Sequence, residues 1–108
     1  MKVLELAEKA GFDIASLPQP DRQIDGAYIG DLLSWVMGRA KADNAWLTIM
    51  SNINVVAVAS LADVSCVILC EGVTLEEDVI VAAKDKEINI LLAKEDIYKT
   101  ALKISGII

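Results

Sequence analysis

Ala45-Trp46-Leu47-Thr48-Ile49-Met50-Ser51-Asn52-Ile53-Asn54-Val55-Val56-Ala57-Val58-Ala59-Ser60-Leu61-Ala62-Asp63-Val64-Ser65-Cys66-Val67-Ile68-Leu69-Cys70 holds two apolar strands and, between them, a segment that pattern alone leaves open. Trp46–Met50 and Val64–Cys70 are short apolar runs of strand length. Ile53–Ala62 is apolar all round, so its periodicity does not separate strand from helix. Connectivity does. Parallel flanking strands need a crossover of a dozen or more residues, and Ser51–Asp63 supplies one as a buried, alanine-rich helix whose small side chains allow close packing on a sheet.

Upstream, Leu32–Ala40 reads as a helix with Leu32, Leu33, Val36 and Met37 on one side and Arg39 and Lys41 near its carboxyl end, where cations are favoured. Asp31 is its expected cap. Ile24–Ile29 is the strand before it, and Leu17-Pro18-Gln19-Pro20-Asp21 is the clearest loop, the place for any internal boundary. Val3–Ala10 forms the first helix, stopped by Gly11, and Phe12–Ile14 starts a short strand. Downstream, Thr74 and Glu77 have the spacing of a capping box for a helix reaching Lys86. Ile88–Leu92 is the last strand and Glu95–Ile104 the last helix, with Glu95 four residues before Lys99. This alternation predicts an α/β fold: a mostly parallel sheet of four to five strands with helices on both faces.

The 108 residues suit one domain, 1–108, with a single core. Apolar residues make up 55% before glycine is counted, above the roughly 45–50% typical of soluble chains with glycine included. Small domains leave much surface exposed, so this surplus predicts a subunit interface, and a homodimer is the commonest solution. Sixteen acids against ten scattered bases give a net charge of −6, which argues against nucleic acid or anionic membrane as partner. Ala45–Ala62 is too often interrupted, by Thr48, Ser51, Asn52 and Asn54, to read as a membrane span of about 20 apolar residues. Glu5 stands where a signal peptide would begin its apolar region, so a cytoplasmic location is expected.

Cys66 and Cys70, four apart on one strand, lie roughly 13 Å from each other at about 3.3 Å per residue. A disulfide needs Cα atoms within about 7 Å. With no histidine in the chain they also make a poor zinc site. They read as core thiols, and no cofactor or metal is expected.

Three segments carry a family resemblance: Gly30-Asp31-Leu32-Leu33-Ser34 with Val36-Met37, then Ala45-Trp46-Leu47-Thr48, then Asn54-Val55-Val56-Ala57-Val58-Ala59. The chain resembles the DRTGG domain, a family found alone and fused to CBS-pair, phosphotransacetylase and dethiobiotin-synthetase-like modules. The likeness runs from the first helix to Ile90-Leu91-Leu92. It implies a fold similar to the amino-terminal domain of HPr kinase/phosphorylase, without that enzyme's phosphoryl transfer, which resides in a separate P-loop domain. No Gly-x-x-x-x-Gly-Lys-Ser/Thr occurs in this sequence. Where the family's Thr-Gly-Gly tends to follow the third strand, this chain has Cys70-Glu71-Gly72, and the Asp-Arg position after the second strand is Ser51-Asn52. Asp21-Arg22 keeps the letters but lies in the early loop and takes no role. The resemblance implies a regulatory or dimerising module, found in fused proteins beside adenine-nucleotide-sensing CBS domains.

Ligands of open parallel sheets bind beyond the carboxyl ends of the strands. Those loops supply the candidate ligand-binding residues: Gly30, Asp31 and Ser34 after the first parallel strand, then Ser51, Asn52 and Asn54, then Glu71 and Gly72. Asn52 or Asn54 is expected to cap the crossover helix, where free amides can hold an anion or nucleotide phosphate. Three functions follow from these residues. The first is a non-catalytic ligand-sensing domain that homodimerises. The second is a protein-interaction subunit of a larger metabolic complex. The third is a small enzyme using Asp31, Ser34 and Glu71, the acids paired for acid/base work or magnesium; no nucleophile has a base beside it in sequence, so catalysis is the weakest.

Overall fold

Side chains alternate along the central strands and sort onto two faces. The computed structural model describes residues 1–108, and its strands are β1 (Asp13–Ser16), β2 (Ala27–Ile29), β3 (Ala45–Thr48), β4 (Cys66–Leu69) and β5 (Ile90–Leu92). They form one sheet in the order β1-β5-β4-β3-β2, parallel except for β1, which runs antiparallel to β5. Ala45, Leu47, Cys66, Ile68 and Leu91 point to one face, where α1 (Val3–Ala10) and α5 (Ile97–Ser105) cover them. Trp46, Val67, Leu69 and Ile90 point to the other, under α2 (Leu33–Arg39), α3 (Asn54–Ala62) and α4 (Glu77–Asp85). Every residue of β3 and β4 is buried, which is why both read as unbroken apolar runs. The expected α/β architecture with helices on both faces is the one observed, and the open segment between β3 and β4 is a helix.

Several local expectations are corrected. The first parallel strand is shorter than Ile24–Ile29 because Gly26 takes a φ of +86° and breaks the extended run. Thr74 forms no capping box. Val73 and Leu75 pack against the core from chain that is neither helix nor strand, and α4 starts only at Glu77, with Glu76 as its N-cap and no side-chain cap bond. At α5 the N-cap is Asp96, which accepts from the Lys99 amide at 2.8 Å. Glu95 therefore stands outside the helix and pairs with Lys103 at 2.8 Å rather than with Lys99.

The early loop is tied to the rest of the chain by hydrogen bonds. Val3 and Leu4 amides donate to the carbonyls of Arg22 and Pro20, and the Asn89 amide group bonds Gln19 in both directions. Arg22, to which the sequence assigned no role, clamps the amino-terminal edge of the sheet. Its guanidinium donates to Asp43 Oδ1 at 3.0 Å, Asp63 Oδ1 at 2.8 Å and the Asp63 carbonyl at 2.6 Å. Asp43 and Asp63 end the turns before β3 and β4 with φ of +68° and +58°. Burial pushes the Arg22 pKa down, but bonds and charges from the two carboxylates more than offset it and hold it above its ordinary value.

Candidate functional site

The carboxyl ends of the parallel strands collect the loops that the sequence singles out, and each loop is shaped by its own hydrogen bonds. After β2, Gly30 closes onto β3: its amide donates to the Leu47 carbonyl at 3.2 Å and its carbonyl accepts from Trp46 Nε1 at 2.9 Å. Asp31 is not a helix cap. Its Oδ1 accepts from Thr48 Oγ1 at 2.7 Å and from the Ile49 amide at 3.1 Å, while Leu32 occupies the N-cap of α2 without a side-chain bond. The carboxylate thus ties the end of β2 to the end of β3. Ser34 lies one residue inside α2 and is exposed.

After β4 the chain reverses in a tight turn. Glu71 and Gly72 both have φ of +67°, and the Val73 amide reaches back to the Cys70 carbonyl at 3.5 Å. Two successive left-handed residues define a type I′ turn, which glycine adopts freely and glutamate does not. Glu71 thus occupies a place where glycine is the unstrained choice. The turn is fixed by Glu71 and Gly72 amides donating to the carbonyls of Glu95 and Ala93. Since β3 lies between β2 and β4, the Asp31 and Glu71 backbones are separated by two strand spacings, roughly 9–10 Å. Asp31, one half of the pair that the catalytic reading needs, has its Oδ1 engaged by Thr48 and the Ile49 amide.

The β3–α3 loop is where a cavity forms. Asn52 Oδ1 accepts from the Asn54 amide at 2.9 Å, but the N-cap of α3 is Ile53, without a side-chain bond, and Asn54 is the first helical residue, so neither asparagine takes the expected cap position. The amides of Ser51, Asn52 and Ile53 find no acceptor within the chain. These three residues face Thr74, Glu76, Asp78 and Val79 across a cleft of about 340 Å³, at the small end of the range of about 300–1,000 Å³ for ligand pockets. Of the eight predicted residues the structure brings Ser51 and Asn52 together here. Gly30, Asp31, Ser34, Asn54, Glu71 and Gly72 lie outside the cleft lining. Thr74, Glu76 and Asp78 complete the lining; the capping-box spacing of Thr74 and Glu77 points to a helix start, whereas the structure leaves the threonine ahead of the helix.

Cys66 and Cys70 are both free and fully buried. Burial pushes the Cys66 thiol up to about 12. Burial also raises Cys70; the neighbouring Thr100 hydroxyl lowers it, and the charges of Glu71, Asp31 and Asp96 raise it further. Both thiols stay protonated at neutral pH and are poor nucleophiles. No group of three or more His, Cys, Asp or Glu side chains is arranged to hold a metal ion, and no helix is long and apolar enough to cross a membrane.

Residues 34–107 match the family model of the DRTGG domain. The chain belongs to the DRTGG-domain family. The matched span runs from Ser34, within α2, through α5, so both sides of the cleft lie inside it, whereas the first helix and Gly30–Leu33, part of the expected likeness, lie outside it. A crystal structure of the CBS and DRTGG domains of the regulatory region of Clostridium perfringens pyrophosphatase, complexed with the activator diadenosine tetraphosphate, has the same fold, with a TM-score of 0.78 at 11% sequence identity. The likeness covers 95% of this chain and 45% of that one, so this chain spans less than half the length of that neighbour. No curated protein matches it in sequence.

Proposed function

We propose that this DRTGG domain, residues 1–108, is a non-catalytic regulatory module that homodimerises and senses a nucleotide or related anion at the carboxyl edge of its sheet. The observation that carries this reading is the cleft at the start of α3, where three unpartnered amides stand opposite Thr74. Amides at a helix start suit a phosphate group. The presence of an adenine-dinucleotide activator on the DRTGG-containing regulatory region of the neighbour supports the ligand class. Glu76 and Asp78 on the far wall add a condition. Their charges repel a bare polyphosphate, so the ligand enters with a divalent cation or through its uncharged parts.

Thermal-shift titration against AMP, ADP, ATP, diadenosine polyphosphates and inorganic phosphates, each with and without magnesium, tests the reading. Ligand at about 100 times its Kd adds about 2.7 kcal/mol, several degrees for a domain of this size. Ser51→Ala and Thr74→Val reduce the shift while leaving the unliganded melting temperature within a degree or two. A flat panel sinks nucleotide sensing by this chain. The second reading, a subunit that docks onto another protein of a larger metabolic complex, then gains, and it draws on the twelve large apolar side chains left exposed.

A further inference from the structure

Helix α3 carries no charged residue and sits between α2 and α4 in its layer. Val55, Ala59 and Ala62 face the sheet. Spacing by four places Ile53, Ala57 and Leu61 together on the opposite side, and Leu61 is 71% exposed. Between this stripe and α4 runs a groove of about 320 Å³, which Ala82 and Lys86 border from the α4 side. On α4, Val81 stands two residues from buried Val79 and Ala83 and is exposed too. A helix that is apolar all round belongs in an interior, and one side of α3 has no cover from its own chain.

We infer that this face is a two-fold interface with a second copy of the chain, α3 lying antiparallel on its counterpart. The inference rests on the homodimer reading above and names its surface. Charge selects both the occupant and the orientation. The starts of α2 and α4 carry Asp31, Glu76, Glu77 and Asp78 and no base; their ends carry Arg39, Lys41, Lys84 and Lys86 beside Asp85 and Glu87. A two-fold axis running along α3 lays starts over starts and sets acid against acid. An axis crossing α3 at a right angle near Ala57 lays starts over ends, opposes the helix dipoles, and puts Leu61 against Ile53 of the partner subunit. Glu77 and Lys84 lie about two helical turns apart on one side of α4, flanking Val81. Under this axis each meets the other's counterpart, the reciprocity that an isologous contact requires.

Sedimentation equilibrium on the full chain, with circular dichroism to confirm folding, tests the interface. The native chain is a dimer, and Leu61→Glu and Ala57→Arg are folded monomers. Glu77→Lys raises the dimer Kd about tenfold, as like charges meet across the seam, and adding Lys84→Glu restores it. Because Cys66 and Cys70 are buried, an Ala57→Cys variant carries one accessible thiol, placed beside the axis. Under mild oxidation it forms a disulfide-linked dimer, whereas Leu102→Cys, on α5 across the sheet, does not. A native chain that is monomeric at about 100 μM overturns the homodimer reading itself. A dimer that survives both Leu61→Glu and Ala57→Arg and gives no cross-link at position 57 overturns the assigned face and leaves the homodimer standing.

Discussion

Arg22→Ala removes the one cation that holds the amino-terminal edge together, and the loss is calculable from its surroundings. The guanidinium makes four contacts of 3.3 Å or less, three of them to the carboxylates of Asp43 and Asp63. Its side chain is 17% exposed, whereas the two aspartates are 51% and 67% exposed. Breaking a fully buried pair costs about 3–5 kcal/mol, and an exposed pair is worth about 0–1 kcal/mol. Water takes over the half-exposed carboxylates after the mutation, but the two acids are left facing each other in strained turns. The expected loss is about 2 kcal/mol, a large fraction of the roughly 5–15 kcal/mol that such domains have, and a fall in Tm of about 10 °C. Urea unfolding followed by fluorescence measures it, with Trp46, fully buried under α2 and α3, as the reporter. Arg22→Lys keeps the charge but not the planar fork that spans two acids and a carbonyl, so it recovers less than half of the loss. A loss below about 0.5 kcal/mol for Arg22→Ala, within the exposed-pair range, or full recovery by lysine, refutes the clamp.

Two further outcomes follow from the same structure. The Cys66 pKa is about 12 in the folded chain against an ordinary 9.0; its contribution to stability is complete below the unfolded value and is lost as pH rises toward 12. The stability of the native chain therefore falls between about pH 9 and 11 more steeply than that of Cys66→Ala, the difference approaching about 1.4 kcal/mol per pH unit; parallel curves in denaturant titrations at stepped pH contradict it. Glu71→Gly relieves a left-handed glutamate worth about 1–2 kcal/mol against about 0.4–1 kcal/mol of added chain entropy in the unfolded state, for a net gain of about 0.5 kcal/mol. A urea midpoint that moves downward shows that the glutamate side chain supports the turn instead.

The legible parts of the fold were those set by burial. β3 and β4 are buried along their whole length, so their sequences had to be unbroken apolar runs, and the crossover between them had to be a helix once they were parallel. The illegible parts were polar side chains answering partners far along the chain. Arg22 looked like a stray basic residue in a loop because Asp43 and Asp63 lie 21 and 41 positions away. Asp31 looked like a helix cap because aspartate before a helix usually is one; the hydroxyl of Thr48, 17 residues on, outcompeted the local amides.

The same distinction explains why the place of the candidate site was readable and its membership was not. That a parallel sheet opens its loops at the carboxyl ends of the strands is a property of topology, and topology followed from the apolar pattern. Which polar atoms in those loops stay available depends on what folding has already consumed. Oδ1 of Asp31 is engaged by Thr48 and Ile49, the Gly30 carbonyl by Trp46, and the amides of Glu71 and Gly72 by the loop after β5. The loop before α3 escapes this fate because Asn52 spends its side chain on Asn54 alone and the amides of Ser51, Asn52 and Ile53 keep no acceptor within the chain. Thr74 joins them for a different reason: Val73 and Leu75 on either side of it pack against the core, and the threonine between them is exposed. Binding capacity at this edge is therefore what remains after the strand ends have been stitched together, and the residues to alter first are those with the fewest bonds inside the chain.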